Sequence, residues 1–545
     1  MTQSIDGRMY LNMLRAGAGR LNLNRTAVND LNVFPIPDGD TGDNMFMTFN
    51  AGASKVEPAD SISRTASDAA REMLLGARGN SGVILSRIFS GLAKGMADAD
   101  TLDAAGFVEA MKHGVNEAYG AVSSPVEGTI LTVCREGTEK LADKEPASFE
   151  ELFDILLPAL SDSLERTPEQ LDVLREAGVV DSGGAGLVYI AQGMQEALGG
   201  GGYESVSDTG SAVNRVDLNA FTEDSVLEYG YCTEFLLRLQ NSKTDIDSFD
   251  VDAFTEWLNS VGDSVVCFRE GSIVKVHVHT KTPGDILNHC QKYGEFLTTK
   301  IENMTLQHNG SRGMQELKLR NQEHKKPYGL VAVASGEGLK ELFTSLGCDE
   351  VVDGGQSMNP SAEELVRAFD RTCAEVIYVF PNNNNIILTA QQAAELYGQS
   401  DVRVIRTKTV GEGYAAVSMF DPSAGEPDKI TDCLNEIAEG VVTGMVSRAS
   451  RDVSGGKVEV VKDDYIGFVR DRIYVDEKTP EAAALGLCEK LNAGECDILL
   501  ILAGADPDEE AASEMADELR ERYPRSEIIM LDSGQPIYDY ILILE

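Results

Sequence analysis

Residues 31–45 read LNVFPIPDGDTGDNM, a run that sets Asp38 and Asp40 two residues apart among Pro35, Pro37, Gly39 and Gly42, with Asn32 before them and Asn44 after. Proline fixes φ and glycine frees it, so the backbone is bent up to Thr41. Apolar spacing resumes at Met45, Phe46 and Phe49, which predicts a helix starting at Thr41 or Gly42. Two acidic side chains on a tight turn at a helix start suit a hard divalent cation, and the free N–H groups of that start can hold phosphate. For Asp-Gly-Asp alone, an Asx-rich turn that caps a helix is the better explanation.

Other junctions shift that balance. Residues 1–200 carry apolar residues at helical spacing, as in Tyr10, Leu11, Met13 and Leu14 or in Ala104, Phe107 and Met111, and predict an almost entirely helical region. Its connections include GARGNSG (76–82), VEGTILTV (126–133) and VVDSGGAGLV (179–188), each just before an apolar helical run. One such loop is a close-packed helix junction. Four in one all-α region, one of them acidic, predict a convergent phosphate and metal site.

Composition narrows the class. The chain has 545 residues and a formal charge of −42, a field that argues against nucleic acid or anionic lipid as partners. A nucleotide site in such a chain must be neutralised locally, which again favours a divalent metal. Hydrophobic content of 42% and charged content of 25% are ordinary for a globular chain. No apolar run approaches the ~20 residues of an integral membrane segment. No signal-peptide core stands at the start, and the nine dispersed cysteines, without a CxxC pair, read as reduced thiols of a cytoplasmic protein.

With these motifs in order, residues 1–200 resemble the nucleotide-binding domain of dihydroxyacetone-kinase-type enzymes, and the whole chain resembles the ATP-binding catalytic subunit of bacterial fatty-acid kinase. The resemblance implies a barrel of antiparallel helices with ATP and magnesium at one end. It assigns magnesium to Asp38, Asp40 and Asn32, and phosphate contacts to Thr41, Asn44, Asn80, Ser81 and Gly82. Thr129 and Asp181 then approach the nucleotide. Asp43 departs from the small neutral residue usual there, and is expected either to repel phosphate or to face solvent.

Residues 199–223 lose periodicity and are rich in Gly, Ser and Asp, which marks a linker. A small α+β domain is expected over 224–308, with YGYCTEFLLRL (229–239) and SIVKVHVHT (272–280) as strands and helices near Trp257 and from Pro283. Strand alternation puts Lys275, His277 and His279 on one face and Val276 and Val278 in the core. Cys232 with these two histidines could hold zinc, or the face could simply be polar. The fatty-acid kinase resemblance favours zinc on Cys232, His277 and His279, and gives the two histidines a part in catalysis beside Asp38 and Asp40.

A second linker is read at 308–326, and an α/β domain over 327–545 from its strand–helix alternation. PNNNNI (381–386) lies between strand and helix, where α/β sheets usually bind ligands. Without a catalytic motif, this domain is read as one for binding or docking. The expected whole is a multidomain kinase using ATP, Mg2+ and Zn2+ to phosphorylate a fatty-acid carboxylate presented by a separate fatty-acid-binding protein. A homodimer is left open, and the alternatives are a small-polyol kinase and a non-catalytic regulatory scaffold that binds nucleotide.

Overall fold

Where each helix begins decides the architecture of the first 199 residues. The computed structural model describes residues 2–32, 39–122, 124–199, 231–246, 248–303, 325–355, 359–453 and 457–545. The helices are α1 (Gly7–Leu23), α2 (Arg25–Asn29), α3 (Thr41–Ser54), α4 (Ile62–Gly76), α5 (Gly79–Gly95) and α6 (Ala104–Gly120). After them come α7 (Ile130–Ala142), α8 (Phe149–Glu165), the short α9 (Thr167–Gln170) and α10 (Asp172–Ala177), and α11 (Ser182–Leu198).

The first few residues gather four helix starts at one end. Strand Ser4–Ile5 pairs with Leu102–Asp103 ahead of α6, Gly7 N–H donates to the Asp60 carbonyl ahead of α4, and Phe149 N–H donates to the Thr2 carbonyl at α8. There the side chains of Asp6, Ser61, Asp103 and Ser148 each accept an amide hydrogen bond from the first turn they precede. Helices α3, α5, α7 and α11 start at the opposite end. Each helix packs antiparallel on a neighbour, and α1 lies along α11 to close the barrel around Leu14, Phe49, Met73, Leu85 and Phe89. The expected helical barrel is the observed one, including the start of α3 at Thr41.

The middle region is a four-stranded antiparallel sheet in the order Asp263–Glu270, Ile273–Thr280, Tyr231–Leu239, Gly294–Asn303. Val274, Val276 and Val278 are fully buried against Leu258 of helix Val251–Val261, as the alternation required, while Lys275 is exposed. Two strands, Asp263–Glu270 and Gly294–Asn303, are not apparent from sequence. The expected linkers fall mostly on 200–230 and 304–324, outside the described residues.

The C-terminal region has two sheets. Lys326–Ala334 pairs in parallel with Glu350–Asp353 and Ala374–Phe380, and the latter pairs in parallel with Asp401–Val404. The second sheet runs Arg472–Glu477, Tyr465–Val469, Val442–Arg448, Tyr540–Leu544, Ile498–Ala503, Glu527–Asp532, and only its last pair is parallel. The α/β class read from the alternation holds, with a mixed second sheet that the alternation did not reveal.

The helical region and the C-terminal region pack as one compact unit, and the middle region is a second. Helix Asn384–Leu396 lies on α5, where Arg87 of α5 donates to Gln392 at 3.1 Å and pairs with Glu395 at 2.5 Å. Gln392 in turn donates to the Leu74 carbonyl at 2.6 Å.

Close approach of α1 and α11 depends on Gly193, where a Cβ would fall inside van der Waals contact of the Ala16 carbonyl. Backbone on one side and helix on the other leave little room to yield. Gly193→Ala is expected to destabilise the barrel by about 1–3 kcal/mol. Urea unfolding followed by circular dichroism checks this, and an unchanged midpoint would show that the helices part without cost.

Candidate active site

Starts of α3, α5 and α7 differ from those at the capped end. Asp40, Arg78 and Thr129 precede them, and none of these three side chains caps its own helix. Other residues do accept some of these first-turn amides: Asn29 takes those of Gly42 and Asp43 in α3, and Asp181 takes that of Ile130 in α7, at an end of the barrel where the aligned peptide dipoles favour an anion. Asp181 also caps its own helix, α11, through the Gly184 amide at 2.6 Å.

Asp40 is 8% exposed. Its backbone carbonyl accepts the Asn44 amide at 2.8 Å, and its carboxylate accepts Asn359 Nδ2 at 2.6 Å. Thr41 donates its hydroxyl to Asn32 Oδ1 at 2.8 Å, and the Asn32 carbonyl accepts Arg451 at 2.9 Å. Asn32, Asp40, Thr41 and Asn44 thus stand together at the start of α3. Asp38, with the rest of 33–38, lies outside the described residues.

Asp43 does not simply face solvent. Arg25 pairs with it at 3.1 Å, and Asn29 donates to it at 2.6 Å while accepting the Gly42 amide at 2.7 Å. The added carboxylate is neutralised on the α2 side.

Across from α3, Gly79 opens α5 at φ +59°, and a Cβ there would fall 2.6 Å from Asn44 Nδ2 and 3.2 Å from Asn359 Nδ2. The glycine satisfies a left-handed backbone and a tight approach at once. Arg78 N–H donates to the Thr48 hydroxyl at 3.1 Å, tying the loop to α3. Asn80 donates to Asn385 at 3.3 Å, Ser81 is half-buried and Gly82 is buried in the same turn. The oxygens Asn80 Oδ1 and Asn359 Oδ1 are buried without a hydrogen-bond partner. An unpaired carbonyl oxygen on Asn359, whose amide binds the buried Asp40 carboxylate, suits a hard cation, so this donor set fits magnesium with a nucleotide phosphate. Among the described residues, no group of three or more His, Cys, Asp or Glu could hold a metal.

Thr129 starts α7 and donates to the Val126 carbonyl at 2.8 Å. Burial pushes the Asp181 carboxyl up to about 6, while amide hydrogen bonds from Gly184 and Ile130 pull it down. The Ile130 contact joins the starts of α7 and α11.

In the middle region, antiparallel register sets Cys232 opposite His279 and Glu234 opposite His277. His279 is half-buried, and the side chains of Cys232 and His277 lie outside the described residues. In the C-terminal region, a cavity of about 330 Å3 is lined by Asn382, Asn383, Lys408, Thr409, Phe468 and Arg470, among others. It occupies the strand-to-helix turn of the Asn run, where Asn383 caps helix Asn384–Leu396. Sequence reasoning missed Asn359 and Arg451 because each reaches the site only through the packing of distant segments, and it passed over Arg78 although that residue lies within the GARGNSG loop. Of the residues that come to the site from the C-terminal region, only Asn385 belongs to a stretch that stands out in the sequence, the Asn run.

Comparisons with known proteins agree with this layout. Residues 35–196 match the family model described as DAK2 domain. Residues 228–311 match the model of the FakA-like middle domain of fatty acid kinase, and 329–545 match that of its FakA-like C-terminal domain. Protein YloV of Bacillus subtilis (strain 168) is 38% identical over 556 residues, covering 100% of both chains. Among solved structures, DegV, a fatty acid binding protein from Bacillus subtilis, matches 41% of this chain and 100% of its own at 15% identity and TM-score 0.31. The dihydroxyacetone kinase from C. freundii, in complex with AMP-PNP and Mg2+, matches 36% of this chain and 35% of its own at 19% identity and TM-score 0.28.

A raised Asp181 has a pH signature. Between the ordinary 3.8 and about 6 the folded chain binds a proton that the unfolded chain releases, so this residue's contribution to stability declines as pH rises through that window. Asp181→Asn keeps a competent cap without the titration. The difference in melting temperature between variant and wild type should therefore grow in the variant's favour from pH 4 to 6 and level off above. A difference independent of pH would mean that Asp181 has an ordinary pKa.

Proposed function

The chain belongs to the FakA-like family of fatty acid kinases, and from that premise we propose that it is an ATP-dependent kinase acting on the carboxylate of a fatty acid. The observation that carries this reading is the buried Asp40 at the start of α3, facing the glycine-opened start of α5 within the DAK2 region. The matches to fatty acid kinase models over the middle and C-terminal regions favour a fatty acid over a small polyol as acceptor.

Asn32, Asp38 and Asp40 would hold magnesium, which when bound neutralises charge on the phosphates. Thr41, Asn44, Asn80, Ser81 and Gly82 would bind the phosphates through amides and short polar side chains, and Thr129 and Asp181 would border the nucleotide. Little covalent chemistry is asked of the protein in phosphoryl transfer, so positioning and charge complementarity are its main contributions. An acyl carboxylate oxygen attacks the γ-phosphorus, the bond to the β-phosphate oxygen breaks, and acyl phosphate and ADP leave.

Three parts share the work in this proposal: nucleotide binding in 1–200, a middle domain in 224–308, and partner docking in 327–545. The substrate arrives on a separate fatty-acid-binding protein. No helix among the described residues is long and apolar enough to cross a membrane, so the acid is not drawn from a bilayer by a spanning segment of those residues.

Purified chain given ATP, magnesium and a carrier-bound fatty acid should form an acyl phosphate that hydroxylamine traps as a hydroxamate. Asp40→Ala should lower that rate roughly a thousandfold, about 4 kcal/mol of lost metal-assisted charge stabilisation, with the melting curve retained. Wild-type turnover in this variant contradicts the assignment, and wild-type chain that makes no hydroxamate contradicts the acceptor.

The cross-strand placement of Cys232 and His279 supports a zinc site completed by His277, with a part in the transfer. Elemental analysis should find one zinc per chain, lost from the Cys232→Ser, His277→Ala, His279→Ala triple variant. Zinc retained by that variant excludes the site.

A further inference from the structure

A side chain from the C-terminal region reaches the aspartate at the start of α3. On the kinase reading above, we infer that Asn359 is a positioning residue of the nucleotide's metal site, supplied by the C-terminal region to orient the carboxylate of Asp40. Asn359 is 1% exposed, and its Nδ2 donates to Asp40 Oδ2 at 2.6 Å. Hydrogen bonds to a metal-bound carboxylate fix the plane of the group, and their loss typically weakens metal binding 10–100-fold.

Asn359 is itself held firmly. Its carbonyl accepts Arg78 at 2.6 Å, Arg78 also pairs with Glu364 at 3.2 Å, and Ala362 N–H donates to the Ala77 carbonyl at 3.2 Å. Ser361 and Glu364 form a reciprocal cap that sets the start of helix Ala362–Thr372 immediately after Asn359. On the far side of the same loop Asn385 accepts from Asn80 at 3.3 Å. The loop 77–80 is thus gripped from two points of the C-terminal region, one leading to Asp40 and one to Asn80.

A contact made only for docking should leave its polar groups paired, because each buried orphan oxygen costs free energy. Here Asn359 Oδ1 and Asn80 Oδ1, one on each side of the grip, are both buried without a partner. An acceptor held open on the residue that binds the carboxylate, as on Asn359, is the pattern of a site awaiting a cation or a donor. The C-terminal region therefore takes part in metal binding in addition to any docking role.

The test uses full-length protein, AMP-PNP and magnesium titrated by calorimetry, with melting temperature measured in parallel. Asn359→Ala should raise the magnesium needed for half-maximal nucleotide binding 10–100-fold, and excess magnesium should restore the affinity. Asn359→Leu, which keeps the side-chain volume, should do the same if a void left by alanine disturbs folding. A residue that served docking alone would change the melting temperature and leave the magnesium requirement as it was, and that result overturns the inference. Tighter magnesium binding also overturns it, since Asn359 would then obstruct the cation. If wild type binds no magnesium nucleotide, the kinase reading itself falls. If wild type binds, Asp40→Ala does not, and both Asn359 variants titrate like wild type, only the role of Asn359 falls.

Discussion

Burying the Asp40 carboxylate to 8% exposure requires hydrogen-bond donors or positive charge nearby, in a chain whose acidic residues far outnumber its basic ones. The barrel meets that demand with polarity rather than with an abundance of cations. Helix starts collect at the Asp40 end, so partial positive charge is concentrated there by the backbone, and Asn29 and Asp181 accept amides of those starts. The starts at the opposite end are capped by Asp6, Ser61, Asp103 and Ser148.

Two of the cations at this end are paired with acids, Arg25 with Asp43 and Arg78 with Glu364, while Arg451 donates to the Asn32 carbonyl. On the proposed function, phosphate recognition would fall largely to amides, hydroxyls and a divalent ion, the division of labour expected where transfer depends on positioning. The same economy explains why asparagine recurs at the site. Asn29, Asn32, Asn44, Asn80, Asn359 and Asn385 offer both donors and acceptors without adding negative charge.

The compact unit joins residues far apart in the chain. The middle region is inserted between its two parts, so the N-terminal helices and the C-terminal region are neighbours in space but not in sequence. Their interface is largely polar, through Arg87, Gln392, Glu395 and the asparagines, and resembles a contact between domains more than a shared core. Polar contacts of that kind are specific in geometry and modest in strength.

Periodicity and turn chemistry are local properties, and what they dictate was legible in the sequence. Helical spacing marked the barrel, Pro and Gly marked the bend before Thr41, and alternation put Val276 and Val278 in the core with Lys275 outside. Glycine-rich junctions before apolar runs showed that several helix starts could converge, because four such loops in one helical region share a common chemistry. Strands Asp263–Glu270 and Gly294–Asn303 escaped notice because their mixed composition has no clean period of two, and pairing with neighbours decides them. The neutralisation of Asp43 by Arg25 and the reach of Asn359 to Asp40 were equally invisible. Each depends on which surfaces meet after the helices and sheets have formed, and a hydrogen bond across 319 positions leaves no local pattern to read. Sequence alone determined the helices of the barrel, the bend before Thr41 and the glycine-rich chemistry of the loops at their starts. Tertiary packing decided which distant side chain orients the buried carboxylate, because only a folded interface can hold two such groups 2.6 Å apart.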